Sequence, residues 1–566
     1  MATPLSILLL VACQANPGDA PTVEDPASTE AETTQPTAPP NAEELELHVG
    51  VGQFTDNLNP HLTGNVNPVV MGIADLTLPS TFRRAGESWE MDPDLLKSVQ
   101  PNDPAAPTEV TYTLNPAAQW SDGTPVTISD FRYLSEEIGS NPAASEAASY
   151  GLIKSIEPTR SGAIAVKFAE PFAGWQTLFR HLLPSHIYGA ENHPFSTMMD
   201  GAMAASGGPY SVSSIDEGRG KVELRRNDRY WGTTTAATDQ LIFDRMPDLS
   251  TGMQMLRSQQ IEMMISQPSE ITNIALKSLP DVQHRTVDRG VDLSLSMNVR
   301  SSVLDTAEKR GEVLRELNPA LIAQIATENA QAQRPAQPEI EAVAVSAPGQ
   351  GEPQGEVPAP EDMRKLGRSE ADGVLVIGAP TDDQAAVSAA RVAADQLKSA
   401  GIAARVVTKE ASALFREDVP GGTVDMLVSW QKTARSGADY LDQFSCVERK
   451  TAVRAGVASD KKLLPYSGNV TGYCDPELNK QLGAVVTGQS TLDSQRGSIE
   501  GHIAEANIVV PLVRDQLTVA LGEGIEGPAA SLDAWAVDPY SAVMVTAPEW
   551  KKRHGTSESV PLEGEN

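Results

Sequence analysis

The chain has 566 residues with 44 basic and 75 acidic side chains, a formal net charge of −31. That balance argues against nucleic acid as a partner and against direct adsorption of the body on an anionic lipid surface. At roughly 150 residues per domain, the length makes three or four domain-sized units.

Residues 5–12 are apolar and stop at Cys13. They are too few for the roughly 20 that a bilayer-spanning helix needs, and they fit the core of a signal peptide. Leu10, Val11 and Ala12 before Cys13 resemble the bacterial lipobox, whose cysteine thiol is acylated. Residues 1–13 are therefore expected to be a lipoprotein signal peptide, with Cys13 the lipidation site. Residues 1–6 lack the expected basic residues, which a start codon set too far downstream would explain; a chance cysteine is the bland alternative. Residues 14–41 hold Pro, Thr and acid with almost no large apolar side chains, so 14–44 is expected to be a disordered tether. No later segment is long and apolar enough to cross a membrane. The expected location is the extracytoplasmic face of the cell membrane, held by lipid.

From residue 45 the text becomes globular. "LELHVGVGQF" predicts a first strand, followed by the loop "NLNPHLTGNVNP". "EVTYTL" alternates as a strand, and "WSDGTP" carries an Asp-Gly turn. In "VTISDFRYLSEEI", Thr127 and Asp130 form a capping box, with Phe131, Leu134 and Ile138 on one helix face. "AIAVKFAEPF" is another strand. Residues 206–232 read as strand, Gly/Arg turn and strand, ended by the aromatic pair Tyr230 and Trp231. Residues 331–362 form a Pro/Gly/Glu insertion, expected to be a mobile surface loop. Beyond it, "GVLVIGAPTDD", "QAAVSAARVAADQLKSAG" and "IAARVVTKE" make a strand–helix–strand unit, read as a parallel α/β pair. Cys446 and Cys474, in an exported chain, are expected to form one disulfide; two buried free thiols are the alternative.

Several of these stretches resemble the solute-binding proteins of oligopeptide and dipeptide ABC transporters, family 5. "VTYTLNPAAQWSDGTPVTISDF", "GGPYSV", "VELRRNDRYWG", "ADQLKSAGIAARVV", "MLVSWQ" and "NIVVPLVRDQLTVAL" follow that family's order from about residue 45 to 545. The arginine-helix motif in "LSMNVRSSVLDTAEKRGEVLREL" is degraded. The resemblance implies an α/β, two-lobe periplasmic-binding-protein-like fold of type II with an extra subdomain. It places the lobe I core in 45–85, 205–288 and 510–547, an inserted subdomain in 86–204, lobe II in 289–509, and a polar tail in 548–566. Such binders close around a ligand by hinge motion.

"LNPHL", "LTLPSTFR", "WEMDPDLL" and "VTGYCD" are similar to a narrower, actinobacterial branch of envelope lipoproteins with this fold. That similarity implies a lipid-anchored scaffold or regulator of lipomannan and lipoarabinomannan assembly. It would bind phosphatidylinositol mannoside or a related glycolipid and support a membrane mannosyltransferase that uses polyprenyl-phosphate mannose. The alternative is a transport receptor for a peptide or another solute.

Peptide-binding members place an acid a few residues after the Trp of the late loop. Here "SWQKTARSGADY" has Trp430 followed by Lys432 and Arg435, which implies a preference for an anion such as phosphate over an ammonium. Asp439 is the shifted acid if the register slips; two side chains in solvent are the bland alternative. By the same resemblance the cleft is bordered by residues 57–62, with Asn57 and Asn59, by 76–82, with Arg83 and Arg84 next to it, and by the Trp430 loop, where the indole suits sugar stacking.

No H-E-x-x-H, Walker loop or G-x-S-x-G is present. His181, His186 and His193 lack a helical ligand spacing, and the S-x-x-K match at Ser459–Lys462 lacks its partner motifs. No catalytic residue, metal or cofactor is expected.

Overall fold

One ten-stranded mixed sheet organises the chain in the computed structural model, which describes residues 45–55, 57–86, 88–189, 194–279, 281–328, 335, 374–450 and 461–552. The expected signal peptide, Cys13 and tether, nearly all of the 331–362 insertion, His193, Ser459 and the end of the tail lie outside them. From edge to edge the sheet runs Ala404–Lys409, Leu375–Pro380, Met426–Lys432, Gln283–Met297, Val509–Leu521, Met263–Ser266, Glu46–Val51, Gln240–Arg245, Lys221–Arg226 and Tyr210–Asp216. Leu375–Pro380 pairs in parallel with Ala404–Lys409. The helix Gln384–Ser399 crosses between them, as the strand–helix–strand pattern predicts. Its small face (Ala386, Ala389, Ala390, Ala393 and Ala394) is buried, so helix and sheet pack closely. The helix is followed by Gly401, whose φ of +85° suits a residue without a Cβ.

Two long antiparallel strands, Gln283–Met297 and Val509–Leu521, join the two lobes. One half of each serves the larger apolar core, through Val287, Leu517 and Val519. The other half serves the smaller core, through Leu293, Leu295, Leu512 and Val513. Their register breaks between Asp288 and Asp292, where Asp288 opposes Gln516 and Asp292 opposes Arg514. A bulge of this kind takes residues off the ladder and re-aims them. Arg289 lies in the break and Asp515 stands across from it.

A second sheet, ordered Leu96–Pro101, Glu109–Leu114, Ile164–Phe168 and Ile153–Pro158, lies within the larger core. The helix Ile128–Ser140 begins at the predicted capping box of Thr127 and Asp130, and Phe131, Leu134 and Ile138 are all fully buried. Tyr230 donates its hydroxyl to Asp94 Oδ2 at 2.7 Å, and the Trp231 indole donates to the Asp94 carbonyl at 2.6 Å. Both rings are therefore pinned, though only partly buried. Cys446 and Cys474, 28 positions apart, are disulfide-bonded.

Candidate functional site

Where the long strands cross, the structure leaves a cavity of about 700 Å³. Its wall is assembled from distant segments. The loop after the first strand supplies Asn57 and Asn67, the turn into the helix Leu249–Arg257 supplies Asp248, and the register break supplies Arg289. The end of Leu375–Pro380 leads into Asp382 and Asp383, and Glu410 follows Ala404–Lys409. Trp430, Phe415, Asp200 and Asp515 complete the polar and aromatic lining. Loops at the carboxyl ends of parallel strands are where open α/β sheets place ligands.

The charge of this wall is one-sided. Asp200, Asp248, Asp382, Asp383, Glu410 and Asp515 line it, and Arg289 is the only cation among its described residues. That guanidinium is already engaged. It donates to Asp515, to the Val66 carbonyl at 2.7 Å and to the Tyr540 carbonyl at 2.7 and 3.0 Å, and it is 2% exposed. Burial pushes the Asp515 carboxyl up even with Arg289 against it. Asp383 accepts from the Ala386 N–H at 2.9 Å as the cap of its helix. Burial pushes it up to about 6, reinforced by Asp382 and Asp515 and opposed by the Ala386 N–H and Trp430. An incoming phosphate would face these carboxylates with no free guanidinium to receive it. A ligand that donates hydrogen bonds, or carries positive charge, fits the wall.

Of the residues singled out in the sequence, Asn57 and Trp430 line the cavity. Asn57 donates to the Ser196 carbonyl at 2.7 Å and to Asp200 at 2.5 Å. Asn59 braces its own loop, donating to the Phe195 carbonyl and accepting from the His61 N–H. Arg83 pairs with Asp92 at 2.7 Å, and Arg84 lies 4.9 Å over the Trp89 ring; neither reaches the cavity wall.

The expectation of an anion site at Lys432 and Arg435 is corrected. Lys432 Nζ sits 2.8 Å from Glu146 and 5.4 Å from the centre of the Tyr540 ring. It lines a separate cavity of about 60 Å³ that shares Val66 with the large one, so its charge is neutralised inside the protein. Arg435 is exposed and lines neither cavity. Asp439 closes a capping box with Ser436 at the start of the helix Gly437–Phe444. The missing acid near Trp430 is supplied in space by Asp383, from another segment. His181 and His186 bind different carboxylates, Asp75 and Asp122, at 2.7 and 2.6 Å. Among the described residues no group of three or more His, Cys, Asp or Glu is placed to hold a metal ion.

None of the seven charged groups on the wall, six acids and Arg289, was singled out in the sequence as a site residue. The one legible signal was "PTDD", acids at the end of a parallel strand opening a helix.

Residues 90–450 match the family described as "Bacterial extracellular solute-binding proteins, family 5 Middle". The chain belongs to that family. It is 26% identical over 608 aligned residues to LpqW of Mycobacterium tuberculosis strain H37Rv, covering 93% of this chain and 94% of LpqW. The name of that relative describes a monoacyl phosphatidylinositol tetramannoside-binding protein. The oligopeptide-binding protein OppA of the same strain is 32% identical over 195 residues, 33% of this chain and 32% of OppA. Among solved structures, the Bacillus subtilis oligopeptide-binding protein AppA with a nonapeptide superposes with a TM-score of 0.66 at 15% identity, covering 90% of this chain and all of that one (100%). AgaA with agropinic acid gives 0.67 at 15% identity, covering 90% of this chain and 99% of that one. These matches show the two-lobe type II fold, and the relatives they name are binding proteins.

Proposed function

We propose that this chain is a lipid-anchored binding protein whose cavity takes the mannosyl headgroup of a phosphatidylinositol mannoside or related glycolipid. In this reading it serves lipomannan and lipoarabinomannan assembly as a scaffold or regulator, presenting the glycolipid to a polyprenyl-phosphate-mannose-dependent membrane mannosyltransferase, and performs no chemistry itself. One observation carries the reading: carboxylates and the aromatics Trp430 and Phe415 share one wall whose one guanidinium among the described residues is spent. Carboxylates accept strong, short hydrogen bonds from sugar hydroxyls, and an indole offers an apolar face for a pyranose ring. The phosphate and acyl chains are left to the cavity mouth and the membrane. The near full-length likeness to LpqW supports the same ligand class.

Calorimetric titration tests this with the deacylated, mannosylated inositol-phosphate headgroup against inositol phosphate lacking mannose. Saturable binding of the first and none of the second is the expected result. Equal binding of both, or of neither, removes the reading. In cells, loss of the gene is expected to truncate mature lipoglycan, seen in the labelled glycolipid profile.

The second reading is a receptor delivering a solute to an ABC permease. It is favoured by the family and by Asp383 beside Trp430, where a peptide ammonium would find a carboxylate. Binding of short peptides in the same titration would select it.

A further inference from the structure

An open groove of about 490 Å³ lies beside Tyr230 and Trp231 and shares no lining residue with the cavity. Three loops build it: the one after Glu109–Leu114, the Asp-Gly turn before the helix Ile128–Ser140, and the one after Lys221–Arg226. Pro116, Ala117 and Pro125 line it as exposed apolar surface. The two aromatic rings stand 5.4 Å apart with their planes at 51°. Asp94, itself buried, holds both of them. Its carboxylate takes the Tyr230 hydroxyl, its carbonyl takes the Trp231 indole N–H, and Oδ1 accepts the Thr233 N–H at 3.0 Å. Both rings have spent their donors inward, and what they have left for the groove is apolar ring surface.

The polar groups of the groove both donate and accept. Gln119 donates its amide N–H to the Arg229 carbonyl at 3.1 Å, which leaves Oε1 as an acceptor. Arg229 is exposed, and among the described residues no carboxylate pairs with its guanidinium. A Cβ on Gly123 would stand 3.0 Å from Arg229 Nη1, so the guanidinium lies along the Asp-Gly turn. Asp228 reaches Arg226 at 3.5 Å, but its side chain is 89% exposed and keeps open lone pairs.

We infer that this groove binds a chain of pyranose sugars. A pyranose ring has an apolar C–H face, which packs on a fixed aromatic surface, and hydroxyls at its edge that each donate and accept. The rings and prolines meet the face; Arg229, Asp228 and Gln119 meet the hydroxyls. Proline-rich peptides also favour aromatic grooves. Their carbonyls need donors, however, and the indole and phenol donors here belong to Asp94. Proline has no N–H to give, so Asp228 and the Gln119 Oε1 would go unanswered. An open groove, unlike an enclosing pocket, admits a chain that continues beyond it at both ends. This inference does not rest on the cavity or its ligand.

The test is fluorine NMR on the full chain labelled with 5-fluorotryptophan. The seven tryptophans give separate probes, and the variants Trp231→Phe and Trp430→Phe assign the signals of the groove and the cavity. Linear mannotetraose and maltotetraose are titrated in turn. The expected result is a saturable shift of the Trp231 signal with at least one of them, whatever the Trp430 signal does. Asp228→Ala/Arg229→Ala changes two exposed side chains, leaves the Asp94 ties in place, and should weaken that binding at least about fivefold. Its melting temperature checks the fold. A silent Trp231 signal with both sugars, or equal affinity in the double variant, overturns the inference. A shift confined to Trp430 also overturns it while supporting the cavity reading. A proline-rich decapeptide that moves the Trp231 signal where the sugars do not overturns it too and makes the groove a peptide site.

Discussion

Trp430 and Lys432 are two residues apart on one strand, yet they belong to opposite kinds of polar cluster. Lys432 joins a buried network in which the carboxylates meet cations or hydroxyls. Glu146 pairs with Lys432 at 2.8 Å, and Asp75 accepts from His181 at 2.7 Å, Arg180 at 3.2 Å and Ser541 at 2.6 Å. Burial works against ionising both acids, but these partners hold Glu146 and Asp75 down to about 2. Trp430 looks onto the cavity, where burial instead pushes Asp383 up to about 6 and raises Asp515. Depressed carboxylates are those whose partners outweigh the cost of burial. Raised ones are those whose burial outweighs the partners present, as at Asp383, and on a cavity wall such a group is where a ligand can add what the fold does not.

The sharpest way to break this contrast is to remove one member of the satisfied network. Lys432→Met leaves the Glu146 carboxylate largely buried and unpaired, and is expected to cost about 3 kcal/mol in urea unfolding. The double variant Lys432→Met/Glu146→Leu should recover most of it. A single-variant cost near zero would mean that the network is not what holds these segments together. Acid titration gives the next largest effect. Glu146 and Asp75 have folded pKa values below their unfolded ones, so their contribution is present above about pH 4.5 and is lost as pH falls toward 2. His61, pushed down to about 4 by burial, acts in the same direction and begins to cost stability below about pH 6.5. Asp75→Asn should therefore flatten the acid limb by about 2 kcal/mol between pH 5 and 2. An unchanged limb would place acid unfolding elsewhere.

Local chemistry was legible in the sequence, and long-range assembly was not. The capping box at Thr127 and Asp130 needs only neighbouring residues, so it could be read directly. The strand–helix–strand unit is equally local. Ser436 and Asp439 carry the same capping signal, and reading it would have removed Asp439 from the ligand candidates. Lys432 was misread because its partner Glu146 lies 286 residues away. The acidic wall escaped for the same reason: Asp200, Asp248, Asp383, Glu410 and Asp515 meet only once the long strands have crossed. Arg289 needed the register break, which no period in the sequence announces.

Asp383 separates stability from function most cleanly, though the loss of affinity it leads to is the smallest of these effects. Asn caps a helix as well as Asp does, so Asp383→Asn keeps the bond to the Ala386 N–H while removing the charge. Because the folded pKa lies above the unfolded one, ionised Asp383 opposes folding as pH rises from about 4 through 6. The variant should therefore gain up to about 3 kcal/mol at pH 7 and well under 1 kcal/mol at pH 4, read from paired urea curves. Its affinity for the mannosylated headgroup should fall about tenfold at pH 7, since one charge-assisted hydrogen bond is worth about that much. The parent should show its own loss of affinity below pH 6, as Asp383 takes up a proton. A variant more stable and weaker in binding fits a carboxylate kept for a ligand at some cost to the fold. A variant that is less stable at pH 7 would move Asp383 into the company of Glu146 and erase the distinction between the two clusters.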